Sequence, residues 1–391
     1  MVSQDQIPKI EGVPTMKLSK SLFVMLTVLV VTAMLAACTG NNAPPTPTPT
    51  VTLRSDYKLG LVTNEQGTIN DGTFNELAYK GARRASRDFG LTLNYRESIE
   101  AKDYNTYIEA LISEGHNIII TVGFQMADAT VAAIKKYPEV TFIGVDFTFE
   151  EAYPNFVGIQ FREDQGGFLA GAMAGLMTKS NVVGVVAGVE IPPVQRFVAG
   201  FINGAKYVNP NVTALSVFTT SFADAEQGYA EADKMIAQKA DVIFGAGGLT
   251  GSSAIVHAAG KGVFVIGVDQ DEFNTTFATG TNSDKILTSA VKGVDAGVYT
   301  AVKNLIEGKF EPGEIVLTAA NCGIAYAPFH KSEGSVPAEV STRLEAIWRA
   351  LAGETLDTGV GEGAVAPESL APGALPTIKD GAPRLADCAQ N

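Results

Sequence analysis

An apolar run that stops in a polar, turn-rich loop and resumes as a helix occurs at residues 57–84 and again from residue 182. This repetition leaves the chain few folds. In the first copy, residues 59–62 have the length and flanks of a buried strand. A loop spans 64–72, and a helical pattern starts near Thr73, with Phe74, Leu77, Ala78 and Gly81 on one face. Asn70 or Asp71 is placed to cap it. Further strands are predicted at 91–95, 118–122, 140–145 and 155–161, with helices at 104–114 and 126–136 between them. The second copy has a strand at 182–186, a loop at 187–193 and a helix carrying Phe197, Phe201 and Ala205. Strands at 212–218, 241–244 and 263–268 follow. Strand–helix alternation implies parallel sheets with right-handed crossovers. The predicted class is therefore α/β, with two doubly wound parallel-sheet lobes in tandem.

Expected boundaries are 57–157 with about 285–355 for the first lobe and 158–284 for the second. Residues 287–306 are read as a return to the first lobe, with Lys292 at the start of a helix over 291–306. Beyond Gly359, residues 359–391 are rich in Gly, Ala and Pro and are expected to be mostly irregular. Gly167, Gly171 and Gly175 recur at every fourth position of a helix over 168–177, a face that lets a neighbour pack closely. That helix is too short to span a membrane, and Arg162, Glu163 and Asp164 precede it.

A length of 391 residues suffices for two domains with their own cores. The net charge of -13 argues against a nucleic-acid surface. Three Cys and three His, scattered, make no convincing zinc site, and no cofactor is expected.

Residues 16–38 read as an export signal. Lys17 and Lys20 precede an apolar run at 22–31, and Leu35-Ala36-Ala37-Cys38 closes it. Translation is expected to begin at Met16, since Asp5 and Glu11 do not suit a signal's start. A Cys after Leu-Ala-Ala resembles the bacterial lipobox, which implies diacylglyceryl attachment at Cys38. The Pro/Thr-rich segment to residue 56 then reads as an extended tether. Signal peptide 1–37, anchor and linker 38–56 and an extracytoplasmic body follow in that order. Once Cys38 is lipidated, Cys322 and Cys388 remain; they either pair, pinning the tail to the body, or stay as thiols.

Polar residues fall where an α/β cleft would lie, at the carboxyl ends of strands. Asp128 sits in the first turn after the 118–122 strand. Gly245-Ala246-Gly247-Gly248 follows Phe244, Asp269 ends the 263–268 strand, and Phe74 and Asn75 open the first helix. A strand-end carboxylate accepts hydrogen bonds from a diol, and a glycine turn admits close backbone approach. Each Asp has an ordinary reading as a cap or hinge ion pair, and Phe74 as a core residue. Residues 245–251 loosely follow a dinucleotide fingerprint, but late in the second lobe of an exported chain and without a nucleophile–base pair. A non-enzymatic binding protein is therefore expected.

Thr63-Asn64, Gly67 and the run from Asn70 to Asn75 resemble the opening motif of the basic membrane protein family of ABC-transporter substrate-binding lipoproteins. Gly123-Phe124 with Asp128, Gly267-Val268-Asp269 and Val291-Lys292 are similar to its later motifs, over roughly residues 57–355. The resemblance implies a type I periplasmic-binding-protein fold that binds a nucleoside, a purine one by analogy, and works as a monomer with permease and ATPase subunits. Phe74 and an aromatic of the second lobe, Phe197 with Phe222 as rival, would sandwich the base. Asn75 and Asp128 would read its edge. Asp269 and Lys292 would hold the ribose, with the Gly247 backbone close by. The family usually carries Asp where this chain has Asn64, a change of charge expected at the rim of the site. A ligand sensor, or a receptor for another small polar molecule, is the alternative on the same fold.

Overall fold

The computed structural model describes residues 56–388. The export signal, Cys38 and the tether to residue 55 lie outside the described residues. The first lobe begins with β1 (Lys58–Thr63), α1 (Phe74–Phe89), β2 (Thr92–Arg96), α2 (Asp103–Ser113) and β3 (Ile118–Val122). It continues with α3 (Ala127–Lys136), β4 (Thr141–Val145) and β5 (Phe156–Phe161). The second lobe holds α4 (Glu163–Met177), β6 (Val182–Ala187), α5 (Pro192–Val208), β7 (Thr213–Phe218) and α6 (Ala225–Ala237). After these come β8 (Val242–Ala246), α7 (Gly248–Gly260), β9 (Phe264–Asp269) and β10 (Ile286–Lys292). The chain then adds α8 (Val294–Ile306), β11 (Gly313–Leu317), β12 (Ile324–Tyr326) and α9 (Ala338–Ala352).

Two six-stranded sheets result, ordered β11-β5-β4-β3-β1-β2 and β12-β10-β9-β8-β6-β7. The cores of both orders are the same, and every pairing is parallel except β10 with β12. Central strands are covered on both faces, which is why 118–122 and 242–246 are buried along their whole length. The duplication read from the sequence is thus a duplication of sheet order, and each sheet has its switch point beside the first strand of its lobe.

The lobes are joined by three short crossovers, at Arg162, at Gly293 and at 318–323. They are tied together: Arg162 N–H donates to Leu317 O at 2.9 Å, and Gly293 N–H donates to Gly323 O at 2.8 Å. Ala319 N–H donates to Gln165 Oε1 at 2.8 Å. The crossings differ from the expected boundaries. The first comes after Phe161, because β5 belongs to the first sheet. Lys292 closes β10 in the second sheet rather than opening a helix, so the return falls at Gly293. Residues 324–352 lie with the second lobe, where α9 packs on α4 and Trp348 Nε1 donates to Ile324 O at 2.9 Å. Strand pairing over long sequence separation sets these boundaries, and local pattern does not report it.

The glycine face of α4 meets α5. A Cβ on Gly167 or Gly171 would lie 2.1 and 2.0 Å from the carbonyl oxygens of Phe197 and Phe201. This close seam seats Phe197 beside the crossovers. Among the described residues, no helix is long and apolar enough to cross a membrane.

Residues past Gly359 are irregular until a final turn, Leu385–Cys388. They run along α5: Asn203 Nδ2 donates to Thr358 O at 2.9 Å, and Leu370 N–H to Tyr207 O at 2.7 Å. Cys388 is disulfide-bonded to Cys322 in the third crossover, a separation of 66 residues. Closing a loop of that length is worth about 4 kcal/mol in the chain-entropy account. Replacing both cysteines by serine is expected to strip hydrogen-exchange protection from 358–388 first and to lower the thermal midpoint. Unchanged exchange along the tail would contradict this placement.

Candidate functional site

A cavity of about 590 Å³ lies between the lobes, walled by the carboxyl ends of both sheets. The first lobe contributes the loop 64–75 after β1, Ser98 and Ile99 after β2, Gly123 to Gln125 after β3, and Asp146 after β4. The second contributes Val194 and Phe197, Phe222, Gly247, Asp269 and Lys292. Strand ends at a switch point leave backbone groups and loops free to face a ligand.

The loop 64–75 is held from within. Asp71 accepts from the backbone N–H groups of Thr73 at 2.8 Å, Asn75 at 3.2 Å and Glu76 at 3.2 Å, so it caps α1 from three residues before its start. Asn75 Nδ2 donates to Asp71 at 2.9 Å, and Asn64 Nδ2 donates to Val122 O at 3.3 Å and Asn75 Oδ1 at 3.4 Å. Asn64 is therefore buried at the floor of the cleft rather than on its rim. A carboxylate there would have no hydrogen to give the Val122 carbonyl. On the other side, Gly247 approaches the β6 loop so closely that a Cβ would lie 2.4 Å from Gly188 N.

Of the residues singled out in the sequence, Asn64, Phe74, Asn75, Phe197, Gly247, Asp269 and Lys292 all line this cavity. Asp128 does not. It is exposed in the first turn of α3, and Gly123, Phe124 and Gln125 from the preceding turn face the cavity instead. Phe222 lines the cavity as well. Phe197 is 5% exposed, with its ring edge-on to Phe244 at 6.2 Å, whereas Phe222 keeps more of its surface open.

Lys292 is the charged centre. Its Nζ lies 2.7 and 2.8 Å from the two oxygens of Asp146 and 3.0 Å from Glu163. Glu163 in turn accepts from Arg196 at 2.7 Å. The ammonium is also ringed by Phe161, Phe74 and Phe197, whose centroids are 4.6, 5.1 and 5.9 Å away. Burial alone would lower the Lys292 pKa, but Asp146 and Glu163 reverse the effect and raise it. The expected role for Lys292 is to hold the ribose hydroxyls, and in the structure two carboxylates already engage its ammonium. Sequence reasoning misses Asp146 and Glu163 as site residues, yet a signal exists. Ile-Gly-Val-Asp occurs at 143–146 and again at 266–269. Both aspartates close the fourth strand of their lobe with a left-handed φ, 73° at Asp146 and 66° at Asp269.

Among the described residues, Asp269 has no such partner. Burial pushes its pKa up to about 7, against the pull of Lys292 and with Asp146 adding to the rise. Asp146, also buried, is pushed up to about 6 despite the neighbouring ammonium. The cleft thus holds one committed cation and, in Asp269, a buried carboxyl group without a cation of its own. That arrangement suits hydroxyl donors and not a phosphate.

A sequence profile for PnrA-like ABC transporter substrate-binding proteins matches residues 58–325. The CD4+ T-cell-stimulating antigen of Listeria monocytogenes is 32% identical over 273 residues, 66% of this chain and 76% of that protein. The ABC transporter nucleoside-binding protein BmpA of Lactococcus lactis is 30% identical over 299 residues, 73% of this chain and 84% of that protein. Among solved structures, an ABC transporter solute-binding protein from Aeropyrum pernix superposes with a TM-score of 0.69 at 25% identity, covering 77% of this chain and 92% of the other.

The Asp269 environment makes a signed prediction. Its native pKa of about 7 exceeds the ordinary 3.8, so between those values the folded state holds a proton that the unfolded chain releases. The stability contributed by this proton is full below about pH 4 and is lost as pH rises through about 7. The Asp269→Asn variant is expected to gain on the unliganded wild type in thermal midpoint progressively from pH 4 to 7, and to hold a constant lead above that. A difference independent of pH would contradict it.

Proposed function

The chain belongs to the family of PnrA-like ABC transporter substrate-binding proteins, and from that premise we propose that it is a nucleoside receptor for an importer. In this reading the exported chain is anchored through Cys38 and extended from the membrane by its Pro/Thr tether. It closes on a purine nucleoside between the lobes and presents it to permease and ATPase subunits. The observation that carries the reading is the cleft itself. A cavity of about 590 Å³ fits the size range of small-molecule sites, and an aromatic from each lobe borders it.

Phe74 offers one face of the sandwich. For the other, the rival Phe222 is better suited than Phe197. Phe197 is packed into the second lobe's core and against the Lys292 ammonium, so it serves as floor, while the more open Phe222 stands over the cavity. The base edge then faces Asn64, Asn75 and the 123–125 turn, in place of Asp128. Asp269 accepts from the ribose hydroxyls, and Lys292 holds Asp146 and the closed geometry. The name of the Lactococcus relative, a nucleoside-binding protein, supports the ligand class. A hydroxyl pair donating to Asp269 favours its ionised form and draws its pKa down.

Calorimetry with adenosine, guanosine and inosine is expected to give binding by at least one. Phe74→Ala should weaken it about ten- to hundredfold, the worth of one stacked base face. No heat with any of the three would overturn the reading.

A further inference from the structure

Two glutamines, one from each lobe, reach across the cleft beside the two aromatic residues. Gln66, in the first lobe's loop, accepts through Oε1 from the backbone N–H of Phe222 at 2.7 Å. Gln270 follows β9 in the second lobe, and its Nε2 donates to the carbonyl of Gly72, two residues before Phe74. Gln270 is nearly buried, and its Oε1 accepts from Lys80 at 3.3 Å, itself paired with Glu76 at 2.7 Å. Each link therefore joins the lobes at the segment that carries an aromatic ring.

We propose that Gln66 and Gln270 are reciprocal positioning residues, each setting the aromatic wall of the opposite lobe when the cleft closes. The proposal rests on the reading that a flat base is stacked between Phe74 and Phe222. Neither glutamine is assigned contact with the base. Gln66 fixes where Phe222 stands, and Gln270 fixes the turn from which Phe74 projects. The gap between the rings then depends on both links, and with it the preference for a planar heterocycle and its residence time.

The chemistry of the two links is opposite, and this makes the proposal testable. A backbone N–H can only donate, so Gln66 must present oxygen to Phe222. A carbonyl can only accept, so Gln270 must present nitrogen to Gly72. Glutamate keeps an acceptor at position 66 but turns the 3.4 Å amide contact with Glu65 into one between like charges. At position 270 glutamate removes the donor and sets a carboxylate against a carbonyl.

The test compares Gln66→Ala, Gln66→Glu, Gln270→Ala and Gln270→Glu by surface plasmon resonance with adenosine, guanosine and inosine, alongside thermal midpoints. Loss of one such bond corresponds to about a two- to tenfold change. Gln66→Ala is expected to raise the dissociation rate by about that factor, with association within about twofold. Gln66→Glu, which keeps the acceptor, should dissociate more slowly than Gln66→Ala, and Gln270→Glu should dissociate at least as fast as Gln270→Ala. A purely structural role would lower the midpoint and leave the ratio of the two rates unmoved. Equal effects of glutamate at both positions, or unchanged dissociation in both alanine variants, would overturn the proposal while leaving nucleoside binding intact. Absence of nucleoside binding by the wild type would overturn the functional reading, and this inference with it.

Discussion

The buried ammonium of Lys292 is the interaction on which the arrangement turns. It closes β10 at the point where the chain leaves the second lobe, and it grips Asp146 at the end of the first lobe's β4. Glu163, completely buried just past the first crossover, shares it, and Arg196 balances Glu163. Two cations and two carboxylates thus meet where the crossovers run together. Each is costly to bury alone, and the cluster is tolerable only when all are in place. Since Asp146 and Lys292 come from different sheets, the cluster is also a statement about lobe geometry: separating the lobes would leave buried charges unmatched or wet.

The same cluster shapes the ligand site. With Lys292 committed, Asp269 is left as a carboxyl group that must find its donors elsewhere, and burial pushes its pKa up to about 7. A phosphorylated ligand would bring further negative charge to a cleft whose lining already includes Glu65, Asp71, Asp146 and Asp269. A neutral ligand with hydroxyl donors and a flat face meets none of that opposition. Stacking and carboxylate acceptors are complementary demands, one met by area and the other by hydrogen bonds.

Much of this is legible in the chain itself. Buried strands declare themselves as short apolar runs, and ligand-facing loops follow them, so Phe74, Asn75, Gly247 and Asp269 can be placed from residue pattern alone. The repeated lobe is visible for the same reason. What local pattern does not carry is pairing between distant segments. The 286–292 stretch reads equally well as strand or helix start, and only its ladder with β9 decides for strand. Asp128 is misplaced because its spacing from the glycine turn fits either face of α3, and the structure leaves it exposed and outside the cavity lining. The partners of Lys292 lie 146 and 129 positions away in sequence, and Gln66 and Phe222 are 156 apart. The doubled Ile-Gly-Val-Asp is the available clue to Asp146, because a duplicated lobe places equivalent residues at equivalent strand ends.

The most direct measurement is denaturant unfolding of Lys292→Met, alone and combined with Asp146→Asn and Glu163→Gln. Removing only this cation leaves buried Asp146 without an ion-pair partner and Glu163 with Arg196 alone, and a loss of about 3–5 kcal/mol is expected. Neutralising the carboxylates as well should recover much of that loss. A Lys292→Met protein as stable as the wild type, or a triple variant no better than the single one, would contradict the role given to this cluster.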